Sequence, residues 1–304
     1  MTTQSISTEA GDIVVEYNSG DMVTCNLSSL VLNNIDVEDD KELEDVIRVQ
    51  MRALDNVISL ARTTVPDATI TNNKYRAVGA GQQGIAALLA SKRIMWDSDK
   101  ATSFIKQLEE KIALYRIKHS ALLGKEKGSY EVYEGSQWNT GEWIDRKDTV
   151  LPEWEEVKEL SSQYMRNGWV TATAPTGGTS LLMGSTPGID PIFDVVYNDG
   201  KANALLPVVV PNLTPQTWFY YKPTMKMEYE GEPNLAHLWA IKHNEARQKF
   251  IDQAISHNFY IPQDIKAKNF LRLHLENWER NVKTSYYTRG WNQRTADSCL
   301  ACSS

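Results

Sequence analysis

Two hydrophobic periods alternate along this chain, and that alternation limits its fold more than any other feature. Asp39 and Asp40 can cap a helix whose apolar positions Leu43, Val46, Ile47, Leu54, Val57 and Ile58 recur at helical spacing. A second long helix is expected from Ser98, with Phe104, Leu108, Ile112 and Tyr115 on one stripe and Gly124 at its end. A third is expected from Pro152 to Asn167 with Val157, Leu160 and Tyr164 inward, and Gly168 then hands over to a strand from Trp169 to Ala174. Asp12 to Tyr17 is strand-like, and Leu205 to Val210 reads as a buried or edge strand, although Pro207 weakens a ladder there. Two further helices are expected at roughly 234–258 and 263–284, before a polar, flexible appendage at 288–304. Helices alternating with short apolar strands make an α/β fold.

The 304 residues are enough for one large or two medium domains with a real core, and neither an internal repeat nor a low-complexity linker divides them. No run approaches the length of a membrane span, and the N-terminus lacks a basic-plus-apolar signal sequence. A net charge of −7 without a basic block argues against a nucleic-acid polymer as partner, while a small anionic substrate would need only a local cradle. The three cysteines, an odd number, argue against a secreted disulfide framework and for a reducing cytoplasm.

Two of those cysteines form a C-x-x-C near the C-terminus, Cys299 and Cys302, and the third, Cys25, lies far away. A dithiol on a frayed terminus cannot staple a core, but it can swing and deliver electrons to an oxidised partner. Zinc on the pair would need two more ligands. The five histidines form no ligand set: His237 and His243 are six apart, His257 and His274 fall singly on amphipathic helices, and His119 sits near a helix end.

Gly79-Ala80-Gly81-Gln82-Gln83-Gly84 matches the dinucleotide pattern G-x-G-x-x-G, with Asp97 and Asp99 near the distance of a ribose-binding acid. Residues 72–78 offer too little strand before it. A tight turn with close packing of a helix starting near Gln82 explains the glycines better. Pro175-Thr176-Gly177-Gly178-Thr179-Ser180 follows a strand and combines glycines with hydroxyls, which suits an anion nest for phosphate or a plain turn. Tyr286 and Tyr287 fall at the end of the last helix; adjacent tyrosines are usually packing residues, but beside a redox tail a pair can carry an oxidising equivalent.

In order along the chain, these segments resemble the C-terminal half of the large, catalytic subunit of class I ribonucleotide reductase. The resemblance rests on Thr24-Cys25-Asn26-Leu27-Ser28-Ser29, Tyr75-Arg76-Ala77-Val78-Gly79-Ala80-Gly81, Met165-Arg166-Asn167-Gly168, and Ala174 through Ser180. Pro187-Gly188-Ile189-Asp190-Pro191-Ile192-Phe193, Lys283-Thr284-Ser285-Tyr286-Tyr287 and the terminal C-x-x-C complete the set. The resemblance implies part of a ten-stranded α/β barrel over residues 1–287, with additional C-terminal helices and a redox-active tail over 288–304.

It implies that Cys25 is one of two active-site cysteines that reduce the substrate, and that Cys299 and Cys302 re-reduce the resulting disulfide. Residues Pro175, Thr176, Gly177, Gly178, Thr179 and Ser180 would hold the substrate phosphates, and Tyr286 and Tyr287 would relay a radical. No metal or cofactor would be bound by this chain directly; the radical would come from the metal centre of a separate small subunit. A nucleotide, with diphosphates favoured over triphosphates, and a thioredoxin- or glutaredoxin-like reductant would be the other partners.

The family's thiyl-forming cysteine lies in an Asn-x-Cys-x-Glu motif upstream of the Cys25 position. Here that place falls among Met1-Thr2-Thr3-Gln4, with neither cysteine nor asparagine, and Glu9 is out of register. The second reducing cysteine and the effector-binding helices are not among these residues either. The chain is therefore expected to be inactive alone and to be one piece of a split subunit, phage-encoded in type, complemented by an N-terminal fragment that also carries most nucleotide-effector contacts. Two other readings compete: a non-catalytic relic that sequesters a partner subunit or nucleotide, and a stand-alone NAD-dependent oxidoreductase. Retention of Cys25, both tail cysteines and the tyrosine pair speaks against the first, and the missing strand before Gly79 against the second.

Overall fold

The computed structural model describes residues 3–6, 15–18, 21–201 and 204–291. Cys299 and Cys302 lie outside the described residues. A short antiparallel hairpin pairs β1 (Thr3–Ile6) with β2 (Val15–Asn18), Thr3 opposite Asn18. The strand expected at Asp12 to Tyr17 thus coincides with β2 from Val15 onward; its first three residues are outside the described set.

β3 (Leu27–Val31) leads into α1 (Asp40–Leu60), which starts where Asp39 accepts the N–H groups of Lys41 and Glu42 at 2.9 and 3.2 Å. Leu43, Ile47, Leu54 and Ile58 are buried as their spacing predicts, together with Met51, but Val57 points outward and is half-exposed. α2 (Pro66–Tyr75) ends on Arg76, a left-handed residue that reverses the chain into β4 (Gly79–Gln83). β4 runs parallel to β3 with Leu27 opposite Gly79. Gly84, at φ +88°, then turns the chain into α3 (Ile85–Ser91).

The G-x-G-x-x-G segment is therefore a strand and not a turn, and the helix begins three residues later than Gln82. Its first two glycines allow close packing: a Cβ on Gly81 would lie 2.6 Å from the carbonyl oxygen of Ala172. Its glutamine is structural as well. The Gln82 amide donates to both carboxylate oxygens of Glu109, at 2.9 and 2.7 Å, and accepts from Arg116 at 3.0 Å.

α4 (Asp99–Lys127) is capped by Ser98, whose hydroxyl accepts from the Ala101 N–H at 3.1 Å. The helix continues past Gly124 instead of ending there. Gly124 serves the approach of another segment, since a Cβ on it would stand 2.7 Å from the Met165 nitrogen. Nor does α4 bury a single stripe: Ile105, Glu109, Leu114, Arg116 and Ile117 are all buried because helices flank it on several sides.

After α5 (Glu142–Asp145), α6 (Trp154–Ser161) is about half the length its periodicity suggests. The following residues are drawn away by other partners: Arg166 donates to the Ser120 carbonyl at 3.1 Å and Gly168 to that of Tyr75 at 2.8 Å. Residues 169–173 then extend, as expected, between two neighbours. Ala80 donates to Val170 and Thr173 to Ala254, at 2.9 and 3.0 Å. α7 (Gly177–Leu182) follows.

β5 (Val196–Lys201) and β6 (Ala204–Val209) form an antiparallel hairpin, with Pro207 opposite Asn198. The apolar run at 205–210 is consequently no strand of the parallel layer. α8 (Pro215–Trp218) and α9 (Leu238–Gln248) come next. α9 stops ten residues short of the expected 258, because the chain is recruited into the sheet: Ser256 donates to the Thr173 carbonyl at 2.9 Å. β7 (Phe259–Pro262) continues that segment, α10 (Ala267–Glu279) packs against α9, and β8 (Thr288–Trp291) returns parallel to β7 with Phe259 opposite Thr288. β8 takes up the first four residues of the stretch expected to be a flexible appendage.

The resulting order is β3, β4, residues 169–173, residues 253–262 and residues 284–291, all parallel. Among the described residues this layer stays open, so the ten-stranded closed barrel is not formed. α1, α3 and α4 cover the layer through one main core, and Leu235, Leu238, Ile241, Phe259, Ile261 and Leu273 make a second, smaller one.

Candidate active site

Cys25 is exposed, free, and two residues ahead of β3. Its neighbours are pinned. The Thr24 hydroxyl donates to the Asn72 side-chain oxygen at 2.6 Å, and the Asn26 amide donates to that oxygen and to the Ala77 carbonyl at 3.2 and 3.1 Å. The exposed thiol is thus held between two anchored residues, with little backbone freedom.

The 175–180 segment sits where residues 169–173 run out. Thr176 is buried, stands at the N-cap position of α7 without bonding its first turn through the side chain, and accepts the Gly188 N–H on its hydroxyl at 2.7 Å. The Ser180 hydroxyl, fully buried, donates to the Gly177 carbonyl at 3.1 Å. Gly177, Gly178 and Thr179 are exposed, and a Cβ on either glycine would meet nothing within 4 Å. These three residues open α7, where the first N–H groups of a helix lack intrahelical acceptors, as an anion site requires.

Tyr286 and Tyr287 are not at a helix end. α10 stops at Glu279, and the tyrosines lie on the extended approach to β8. The Tyr286 N–H donates to the His257 carbonyl at 2.8 Å, and the Phe259 N–H donates to the Tyr287 carbonyl at 2.7 Å. The two rings touch, with centroids 4.1 Å apart at 49°, and each is about half-exposed, at 47% and 49%. Interaction with the neighbouring Tyr287 phenol raises the Tyr286 phenol above its ordinary value, with a further rise from desolvation.

Strand register relates these elements. Thr173 pairs with Ile255, and the Thr284 hydroxyl donates to the Ile255 carbonyl at 2.8 Å. Two residues on, Tyr286 is therefore level with His257 and with the start of the 175–180 segment. The tyrosine pair and the glycine-hydroxyl turn share one end of the parallel layer. Cys25, which precedes its strand, lies toward the other end.

The histidines are more organised than their spacing suggests. His257 lies in the sheet and not on a helix, and it stacks on His237 at 5.9 Å and 11°. Burial pushes the His257 imidazole down to about 4 and His243 to about 3. Among the described residues no three His, Cys, Asp or Glu side chains are grouped to hold a metal.

Sequence reasoning missed the groups that tie the site together. Asp190, buried, accepts from the Asn258 amide at 2.6 Å and from the Tyr260 hydroxyl at 3.3 Å. Burial raises its carboxyl to about 6. An acid inside the apolar stretch Pro187 to Phe193 was the available signal; Asn258 carried none.

The family model for the ribonucleotide reductase barrel domain matches residues 11–288. The ribonucleoside-diphosphate reductase subunit alpha of Treponema pallidum (strain Nichols) is 40% identical over 293 residues, covering 96% of this chain and 34% of the relative. That of Helicobacter pylori (strain J99) is 33% identical, with 89% of this chain and 35% of the relative covered. In Bacillus phage SPbeta the corresponding alpha subunit is 26% identical, covering 92% and 27%. The chain thus spans about a third of the length of these relatives.

Proposed function

Because the chain belongs to the ribonucleotide reductase barrel-domain family, we propose that it supplies the C-terminal portion of a large subunit that reduces ribonucleoside diphosphates to deoxyribonucleotides. In this reading Cys25 is one of two thiols that reduce the ribose. Each thiol gives up a hydrogen, a disulfide forms between them, the 2′ carbon gains hydrogen in place of its hydroxyl, and water leaves. Cys299 and Cys302 then restore the thiols by exchange through a mixed disulfide, and a thioredoxin- or glutaredoxin-like protein reduces them in turn.

The N–H groups of Gly177, Gly178 and Thr179 hold the phosphates, with Thr176 and Ser180 shaping the turn and Pro175 leading into it. Tyr286 and Tyr287 relay a radical that a separate small subunit supplies. What supports the roles of the tyrosines and the turn most is their shared level, since radical delivery and phosphate anchoring must meet at one nucleotide; the role of Cys25 rests on the family match instead.

The thiyl-forming cysteine, the second reducing thiol and most effector contacts belong to protein outside these 304 residues. By themselves the residues form no deoxynucleotide. No helix among the described residues is long and apolar enough to cross a membrane, and the free thiol chemistry fits a reducing cytoplasm. The test is deoxycytidine diphosphate formation from cytidine diphosphate (CDP) by the chain combined with a complementary N-terminal large-subunit portion and a small subunit. Turnover by the mixture and none by the chain alone is expected. Undiminished turnover with Cys25→Ser overturns the assignment of Cys25.

A further inference from the structure

Resting on the reading that the 175–180 turn holds the substrate phosphates, we infer that Asp190 is a positioning residue that couples occupancy of that turn to the setting of Tyr287. The linkage is short and continuous. On the turn side, the Gly188 N–H donates to the Thr176 hydroxyl at 2.7 Å, and Thr176 is the residue that immediately precedes α7 and the exposed Gly177 to Thr179. Two residues on, the Asp190 carboxylate takes the Asn258 amide at 2.6 Å. On the tyrosine side, the Asn258 side-chain oxygen accepts the Tyr287 N–H at 3.3 Å. Asn258 therefore bridges Asp190 and Tyr287 with opposite ends of one amide.

The lever is anchored just beyond Asp190. Residue Ile192 accepts from the Thr224 N–H and hydroxyl at 3.0 and 2.7 Å, so the 188–192 segment cannot drift independently of the fold. Asp190 and Asn258 are both buried. A displacement of Thr176 that moves Gly188 must carry Asn258 with Asp190, or leave a buried carboxylate and a buried amide unpaired, and that loss is costly. Plain packing would be served equally by an apolar side chain at 190; a carboxylate between two donors from the tyrosine-bearing half of the sheet transmits position.

The experiment uses the full 304-residue chain with 3-fluorotyrosine in place of Tyr287, combined with the complementary N-terminal large-subunit portion, titrated with CDP and followed by fluorine NMR. CDP affinity is measured in parallel by calorimetry. In the parent chain CDP shifts the fluorine resonance. With Asp190→Ala, CDP affinity stays within about threefold while the shift is lost. The reciprocal exchange, Asp190→Asn with Asn258→Asp, rebuilds an amide-to-carboxylate bond and leaves an acceptor for the Tyr287 N–H, so it restores the shift that each single exchange reduces. An equal shift in Asp190→Ala, or CDP binding to the parent without a shift, overturns the coupling. No CDP binding to the parent overturns the phosphate reading, and the coupling with it.

Discussion

The backbone N–H of Tyr286 donates to the carbonyl of His257 at 2.8 Å. This bond makes the tyrosine pair part of the parallel layer instead of the end of a helix. Its rings are held at the same level as the turn that ends residues 169–173.

Removing the Tyr287 hydroxyl leaves the ring, its 4.1 Å contact with Tyr286 and the backbone pairing in place. Tyr287→Phe should lower deoxynucleotide formation by the combined enzyme at least about 100-fold, because a phenylalanine ring cannot be oxidised in tyrosine's place. Thermal unfolding of the chain should be nearly unchanged. A variant that turns over normally would remove Tyr287 from the relay.

The Asp190 carboxyl is raised by burial to about 6 from an ordinary 3.8. Between those values the folded state binds more protons than the unfolded one, so this group's contribution to stability falls as pH rises. Asp190→Asn has no such loss. Urea unfolding should show the variant gaining on the parent as pH climbs from 3.8 to about 6, with a constant difference above neutrality. A difference independent of pH across that window would contradict the buried setting.

Asp55 is fully buried among Arg76, Arg166 and Lys127, at 2.6, 3.0 and 3.2 Å. Burial pushes its carboxyl up, but the three cations outweigh this and hold it below the ordinary range. Asp55→Ala strands Arg76 in the core and should cost about 3–5 kcal/mol at pH 7. Here the folded state binds fewer protons, so the benefit is present above the unfolded value of 3.8 and is lost as pH falls through the folded one. Denaturant melts at pH 7 and pH 3 should show the parent's advantage shrinking in acid.

Two glycines in the motifs differ sharply. Gly81→Ala would force a Cβ to 2.6 Å from the Ala172 carbonyl oxygen, between two strands that cannot part without breaking pairing. It should destabilise by about 1–3 kcal/mol or more. Gly177→Ala meets nothing within 4 Å and should leave stability within about 0.5 kcal/mol. Its effect, if the phosphate reading holds, belongs to the Michaelis constant for the nucleotide. Comparable melting losses for both would refute the contrast.

Helix α1 was legible because its cap and its inward stripe are local facts: Asp39 binds the first N–H groups, and Leu43, Ile47 and Leu54 share a face. The ends of α6 and α9 were not legible. Helical periodicity continues past Ser161 and Gln248, but backbone groups at Arg166, Gly168 and Ser256 find partners far along the chain. Tertiary pairing overrides local propensity there. The same competition moved Tyr286 and Tyr287 from helix to sheet. Gly79 to Gly84 was read correctly as serving close packing, yet its strand was hidden, because glycine and glutamine do not look like a buried strand until Leu27 and Ala172 are seen against it.

By itself, the order of the motifs determined the family and the α/β alternation and supplied the candidate chemistry-bearing residues, since these reside in side-chain type and sequence spacing. Tertiary structure alone decided which of them share a neighbourhood. Parallel pairing sets the tyrosines and the 175–180 turn at one end of the layer and Cys25 toward the other. It also brings Asn258 between Asp190 and Tyr287. Strand register is a long-range property: it is fixed by hydrogen bonds between segments separated by tens of residues, and no local period encodes it.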